Sequence, residues 1–110
     1  MTRRDAAETA YFTLLRAREE LQALQRYDEY LADERRRLRR FTAEGAALAD
    51  TVDPRVRRGM RQVDTVLADA IRARIAWIDD ERRHLPERQA AAEAFVAECE
   101  AEHARHAGNA

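Results

Sequence analysis

The chain has 110 residues, of which 37% are charged and 6% are aromatic, and its net charge is −1. That length predicts a single domain spanning residues 1–110, and the scarcity of aromatic residues excludes a thick hydrophobic interior. Long helices that share one narrow seam need little apolar filling, so the composition favours an elongated all-α protein.

The first half of the chain predicts one helix from about residue 3 to residue 50. Thr2 and Asp5 have the spacing of a capping box, in which each side chain accepts a hydrogen bond from the other residue's backbone N–H. No proline interrupts residues 1–50, and Gly45 is the one glycine there. Apolar residues spaced by three, four or seven form one stripe on this helix: Leu14, Ala17, Leu21, Leu24, Tyr27, Leu31, Leu38, Phe41 and Leu48.

A turn at residues 51–53 separates this helix from a second one, predicted from about residue 54 to residue 106. Asp53 suits the N-cap position, and Pro54 suits the first helical position, where no backbone N–H is needed. The apolar residues that follow again keep helical spacing: Val56, Met60, Val63, Leu67, Ala70, Ile71, Trp77, Ile78, Leu85, Ala92, Phe95 and Cys99. Two helices of similar length and a tight turn predict a long, coiled-coil-like antiparallel hairpin.

Pro86 interrupts the second helical pattern and allows two folds. An interior proline removes one backbone hydrogen bond and kinks or breaks a helix. The seven-residue spacing that includes Ile78, Leu85 and Ala92 continues through it, which favours a hairpin kinked near residues 85–86. The alternative is a three-helix bundle, in which the chain reverses at Pro86.

The equal lengths also suggest which residues face each other. A turn centred on Val52 and Asp53 places Leu38 opposite Leu67, and Ala10 opposite Phe95. Five further apolar residues fall outside this seam, so a bare hairpin is expected to expose them and to self-associate, most simply as a homodimer, or to bind a helical protein partner. These residues are Tyr11, Leu15, Tyr30, Ile75 and Val96.

The small net charge hides a strongly basic middle segment. Residues 35–61 contain nine arginines against three acids, which gives +6, whereas residues 1–34 and 62–110 carry −3 and −4. In a hairpin the basic segment surrounds the turn, where it is a candidate binding site for phosphate groups or an acidic partner. The candidate residues are Arg35, Arg36, Arg37, Arg39, Arg40, Arg55, Arg57, Arg58 and Arg61. The last four oppose the dipole at the start of a helix, which suggests that a ligand rather than stability requires them.

Residue patterns that could bind a metal are weak. Glu81 with His84, and Glu100 with His103, have the Glu-x-x-His spacing of carboxylate-bridged metal sites. Cys99 also shares a helical face with His103 and His106, near the end of the helix. Ordinary arginine partners and an ordinary buried cysteine explain these residues better, so we expect no metal and no cofactor.

No arrangement of nucleophile and base can be derived from the spacing, so we expect no catalytic residues and no enzyme activity. A lone cysteine, the absence of a signal-peptide pattern and short apolar runs favour a cytoplasmic protein that does not cross a membrane. The sequence therefore predicts a non-catalytic interaction or oligomerisation module, a scaffold or adaptor subunit of a larger assembly. The alternative is binding of an RNA or DNA backbone by the arginine-rich turn.

Overall fold

A computed structural model describes residues 2–108 of the chain, which form two long helices. Helix α1 spans Arg3–Ala49 and helix α2 spans Pro54–Gly108, and the described residues contain no strand. Ion pairs join α1 to α2: Arg18 pairs with Glu100, and Arg35 pairs with Asp79. The later residue of α1 pairs with the earlier residue of α2, as in antiparallel helices. The predicted all-α antiparallel hairpin is confirmed. Neither helix, within residues 2–108, has a stretch apolar enough to cross a lipid bilayer.

Both helix starts have the predicted caps. The Thr2 backbone N–H donates to the Asp5 carboxylate at 3.2 Å, and the Asp5 N–H donates to the Thr2 hydroxyl at 3.1 Å, which completes the capping box. At the start of α2, the Arg55 N–H donates to the Asp53 carboxylate at 2.8 Å. These bonds satisfy N–H groups that have no partner within the first helical turn.

The turn closes without a glycine or a left-handed residue. The backbone N–H of Thr51 donates to the Leu48 carbonyl at 3.0 Å, and that of Val52 donates to the Ala49 carbonyl at 3.4 Å. No non-glycine residue in the described chain has a positive φ. The guanidinium of Arg57 also donates to the Ala49 carbonyl, so a side chain from α2 caps the end of α1. Nothing in the sequence pattern indicated this bond.

Helix α2 continues through Pro86 without interruption. The three-helix bundle is therefore wrong, because it required the chain to reverse after Leu85. The apolar spacing agrees with this outcome: Leu85 is almost fully buried, and its burial offsets part of the cost of the backbone bond that proline removes. The bend at Pro86 stays a prediction.

Contacts divide the hairpin into two units, and both helices contribute to each. Unit 1 contains Met1–Asp28 and His84–Ala110, and its core joins Leu14 and Ala17 of α1 to Val96 and Cys99 of α2. Val96 was expected outside the seam and Phe95 inside it, and the structure reverses the two. The sequence could not separate them, because either residue gives helical spacing between Ala92 and Cys99.

Unit 2 contains Glu29–Arg83. Leu31 and Ile78 are its fully buried side chains. Two ion pairs join the helices nearby: the Arg74 guanidinium donates to both carboxylate oxygens of Glu34 at 2.9–3.2 Å, and Arg35 Nε donates to Asp79 at 2.7 Å. Arg74 also lies 4.4 Å above the Trp77 ring, a cation–π contact.

The contacts also show that the predicted register is wrong. Ala10 was expected opposite Phe95, but it lines a small pocket together with Cys99, and Phe95 is 46% exposed. In unit 2, Leu67 borders a groove with Phe41. Ala49, the last residue of α1, shares a pocket with residues as far along α2 as Ala68. The helices are therefore offset by about a turn or more from the symmetric pairing, which the spacing alone did not determine.

Candidate functional site

A broad apolar surface lies open in unit 2, on the side of the turn. On α2, Val56, Met60, Val63 and Leu67 recur at intervals of four, three and four, so they follow one helical face. On α1, Phe41 and Leu48 are seven residues apart and share a face in the same way. We call these six residues the turn-side face. Their side chains are 44–68% exposed.

One residue from each helix of the turn-side face borders a common groove. Phe41 of α1 and Leu67 of α2 both line it, and small residues, including Gly45 and Ala46, lie between them. The α1 residues of the groove carry little side-chain volume at Gly45, Ala46 and Ala49, so they cannot cover the larger residues of α2. The sequence identified the apolar residues here but assigned them to the seam between the helices, where they would have been buried.

The start of α2 meets the end of α1 through polar side chains. Ala49, at the end of α1, lies beside Arg57, Arg61 and Asp64 of α2. The Arg57 guanidinium donates to the Ala49 carbonyl, while Val56 and Met60 on either side of it stay about half exposed.

The nine candidate arginines all lie in unit 2, and the structure gives three of them partners. Arg35 pairs with Asp79, Arg36 pairs with Asp33, and Arg57 donates to the Ala49 carbonyl. Within residues 2–108, the other six make no ion pair: Arg37, Arg39, Arg40, Arg55, Arg58 and Arg61. Of the nine side chains only Arg35 is part-buried, and the other eight are exposed.

Most arginines elsewhere in the chain behave differently. Among the described residues, at least seven of the 11 arginines outside residues 35–61 form ion pairs with nearby carboxylates: Arg4, Arg16, Arg18, Arg72, Arg74, Arg83 and Arg105. The shortage of partners is therefore a property of the basic segment rather than of arginine throughout the chain. These exposed guanidinium groups are accessible to the carboxylates or phosphates of another molecule, with which they can form bidentate hydrogen bonds.

The residues with metal-ligand spacing make other contacts in the structure. Cys99 is buried in the core of unit 1, His103 packs against the Tyr11 ring with centroids 5.6 Å apart, and His106 bonds to Glu102 at 2.8 Å. Hydrogen bonds from Arg105 and His106 hold the pKa of the Glu102 carboxyl below its ordinary value. Among residues 2–108, no three His, Cys, Asp or Glu side chains are placed to hold a metal ion.

The strongest feature of the described chain is thus the meeting of an exposed apolar face with unpaired arginines in one stretch of unit 2. Comparison with known proteins finds no family model, no curated protein and no solved structure that matches the chain.

Proposed function

We propose that the chain is a non-catalytic helical interaction module of the cytoplasm, a scaffold or adaptor subunit that docks through the turn-side face. The observation that carries the proposal is the exposure of Phe41, Leu48, Val56, Met60, Val63 and Leu67 in one stretch of a short chain. Large contiguous apolar patches on proteins mark binding surfaces.

The energetics support docking by a helix. Fully burying a large apolar side chain contributes about 1.5–3 kcal/mol. The side chains of the turn-side face are 44–68% exposed in the free chain, so docking would contribute part of that amount at each. A helix is the natural partner for this surface, because the groove runs between two helices and offers side chains at intervals of three and four. The docked helix belongs either to a second copy, most simply in a homodimer, or to another protein.

Site-specific photo-crosslinking tests this proposal in cells. A photoreactive amino acid at position 63 lies on the turn-side face, and the same residue at position 69 lies on another face of α2. We expect a discrete protein adduct from position 63 that the Met60→Glu substitution abolishes, and none from position 69. Equal adducts from both positions, or none from position 63, would contradict the proposal.

Sedimentation equilibrium of the purified chain then separates the two kinds of partner. A dimer at tens of micromolar that dissociates in the Val63→Glu variant identifies a second copy. A monomer rejects the homodimer and leaves a different helical protein as the partner. Circular dichroism of each variant checks that its helices remain folded.

The six unpaired arginines favour nucleic-acid binding as a second candidate function. Contacts to phosphates release bound counterions, so affinity falls steeply with salt, with a slope set by the number of phosphates neutralised. We would compare structured RNA and duplex DNA binding by the Arg58→Gln/Arg61→Gln variant and by an Arg3→Gln/Arg26→Gln control, whose arginines are also exposed and unpaired in the described chain. A flatter slope in the first variant alone supports this function, and no binding at low salt rejects it.

A further inference from the structure

We propose that the turn-side face receives an acidic amphipathic helix from a partner protein. This inference rests on the proposed function and names the chemistry of its partner. Two properties of the surface define that chemistry: apolar residues that need an apolar stripe, and arginines that need carboxylates beside the stripe.

The apolar residues fix the shape of the partner. Val56, Met60, Val63 and Leu67 form a continuous line of exposed side chains along more than three turns of α2. Phe41 stands across the groove from the end of this line. A helix with apolar residues at intervals of three and four fits between the two sides, as helices do in other grooves formed by helix pairs.

The arginines fix the charge of the partner. Arg37 lies one helical turn before Phe41, on the same side of α1. Arg55 lies in the same turn of α2 as Val56, about 100° around the helix, within reach of the edge of a helix docked on the turn-side face. Neither makes an ion pair within residues 2–108. Guanidinium groups beside an apolar stripe match carboxylates beside the stripe of a partner helix, and the match speeds association and excludes basic partners.

Two acids lie in the same region and do not reverse its charge. Glu44 is within one turn of Phe41 and Leu48, and Asp64 lines the groove with Leu67. Residues 35–67, which include both of these acids, nevertheless carry nine arginines against four acids. The field that an approaching helix meets is therefore positive, although Asp64 favours one basic or hydrogen-bond-donating residue at the centre of that helix.

The same charge disfavours a second copy as the occupant. Two copies that dock face to face through this surface bring two segments of charge +6 together. Like charges placed across an interface suppress association, most strongly at low salt. A nucleic acid fits the arginines but leaves the apolar line of α2 exposed, whereas an acidic helix satisfies both.

Fluorescence anisotropy with designed peptides tests the proposal directly. The first labelled peptide is a helix of about six turns, with leucine at intervals of three and four and glutamate on both borders of the stripe. The second has lysine in place of each glutamate, and the third has serine in place of each leucine. We expect the acidic peptide to bind, the lysine peptide to bind at least about tenfold more weakly, and the serine peptide not to bind.

Matched variants locate the site of binding. Val63→Glu places a charge in the turn-side face, and Gln62→Glu adds the same charge at a neighbouring exposed position about 100° around the helix. We expect Val63→Glu to weaken the acidic peptide at least about tenfold and Gln62→Glu to weaken it much less. Arg37→Gln/Arg55→Gln should reduce affinity and its salt dependence, whereas Arg3→Gln/Arg26→Gln should leave both near wild type.

Each remaining outcome overturns the inference in a different way. Equal binding of the acidic and lysine peptides shows an apolar surface without charge preference. A dimer that Val63→Glu dissociates, with no peptide bound, assigns the surface to a second copy and leaves the proposed function intact. Both the inference and the proposed function fail if three results occur together. These are that no peptide binds, that the chain is a monomer, and that duplex DNA binds with the same dependence on Arg37 and Arg55.

Discussion

In unit 1, Leu14 and Ala17 of α1 are buried against Val96 and Cys99 of α2, whereas on the turn side of unit 2 Leu48 and residues such as Val63 of α2 stay mostly exposed. The two regions are built from the same two helices and from similar apolar residues. They differ in what lies opposite: in unit 1 each helix covers the other, and on the turn side small residues of α1 leave α2 uncovered. Apolar content alone therefore does not show which part of a hairpin is core and which part is a binding surface.

The largest expected effect comes from a matched pair of leucines. Leu14 is 3% exposed and Leu48 is 66% exposed. Leu14→Ala should lower the free energy of unfolding by about 2–5 kcal/mol, because it leaves a cavity in a packed core. Leu48→Ala should change it by less than about 0.5 kcal/mol.

Urea unfolding followed by circular dichroism at several protein concentrations measures both variants. Equal losses of stability would show that the turn side is packed in the free chain. A loss in Leu48→Ala that grows with protein concentration would indicate that a second copy covers it.

The next effect concerns the start of α2. Asp53→Ala removes the carboxylate that accepts the Arg55 N–H and should cost about 0.5–2 kcal/mol. Asp50→Ala makes the same chemical change three residues earlier, where the carboxylate has no partner within residues 2–108. The melting temperature of Asp53→Ala should therefore be well below those of Asp50→Ala and wild type. Equal melting temperatures would show that the cap does not contribute to stability.

These helix ends are also the part of the structure that the sequence predicted well. Thr2–Asp5 and Asp53–Pro54 are local signals, because each side chain that accepts a backbone N–H lies within three residues of that N–H in the sequence. The register was not local. Small buried residues such as Ala10 and Ala17 are compatible with several offsets, and the Glu34–Arg74 pair looks like ordinary surface charge in the sequence.

The candidate surface was also predicted only in part: its residues were identified, but not their contacts. The arginines could be located by counting charges, but whether each had a partner depended on the register. Arg57 is the clearest case. Its positive charge opposes the dipole at the start of α2, which suggested a residue kept for a ligand, whereas its guanidinium caps α1 at Ala49. Met60 and Val63 were identified as apolar, but their exposure depended on how the two helices pack, which their spacing does not show.

Arg57 gives the third prediction, which revises the expectation from the helix dipole. Arg57→Gln should cost about 0.5–1.5 kcal/mol, because the Ala49 carbonyl loses a donor. Arg58→Gln should be neutral or slightly stabilising, since this arginine has no ion pair in the described chain and opposes the dipole. Chemical denaturation of the two variants side by side makes the comparison, and a destabilised Arg58→Gln with an unchanged Arg57→Gln would reverse the assignment.

A smaller effect is expected from pH at the ion pairs of unit 2. The hydrogen bond from Arg35, and the positive charges of Arg35, Arg39 and Arg82, hold the pKa of the Asp79 carboxyl below its ordinary value. The stabilisation is therefore complete above the ordinary aspartate pKa, and it is lost as pH falls through the lower pKa of the folded state.

Melting temperatures measured from pH 7 down to about pH 2 test this directly. The fall of the wild-type melting temperature in acid should be shallower in Asp79→Asn and unchanged in Asp50→Asn. An Asp79→Asn variant with the full acid dependence of wild type would show that this pair does not couple protonation to folding.

Hydrogen exchange of the chain, with and without the acidic amphipathic peptide, tests most directly the claim that the turn side of unit 2 is a docking surface. Helices that lack packing partners open locally more often than helices in a core. In the free chain we predict that amides of residues 54–67 exchange faster than those of residues 90–103, and that saturating peptide slows residues 54–67 while leaving residues 90–103 unchanged. Equal protection of the two segments in the free chain, or slowing by the peptide confined to residues 90–103, would contradict the account.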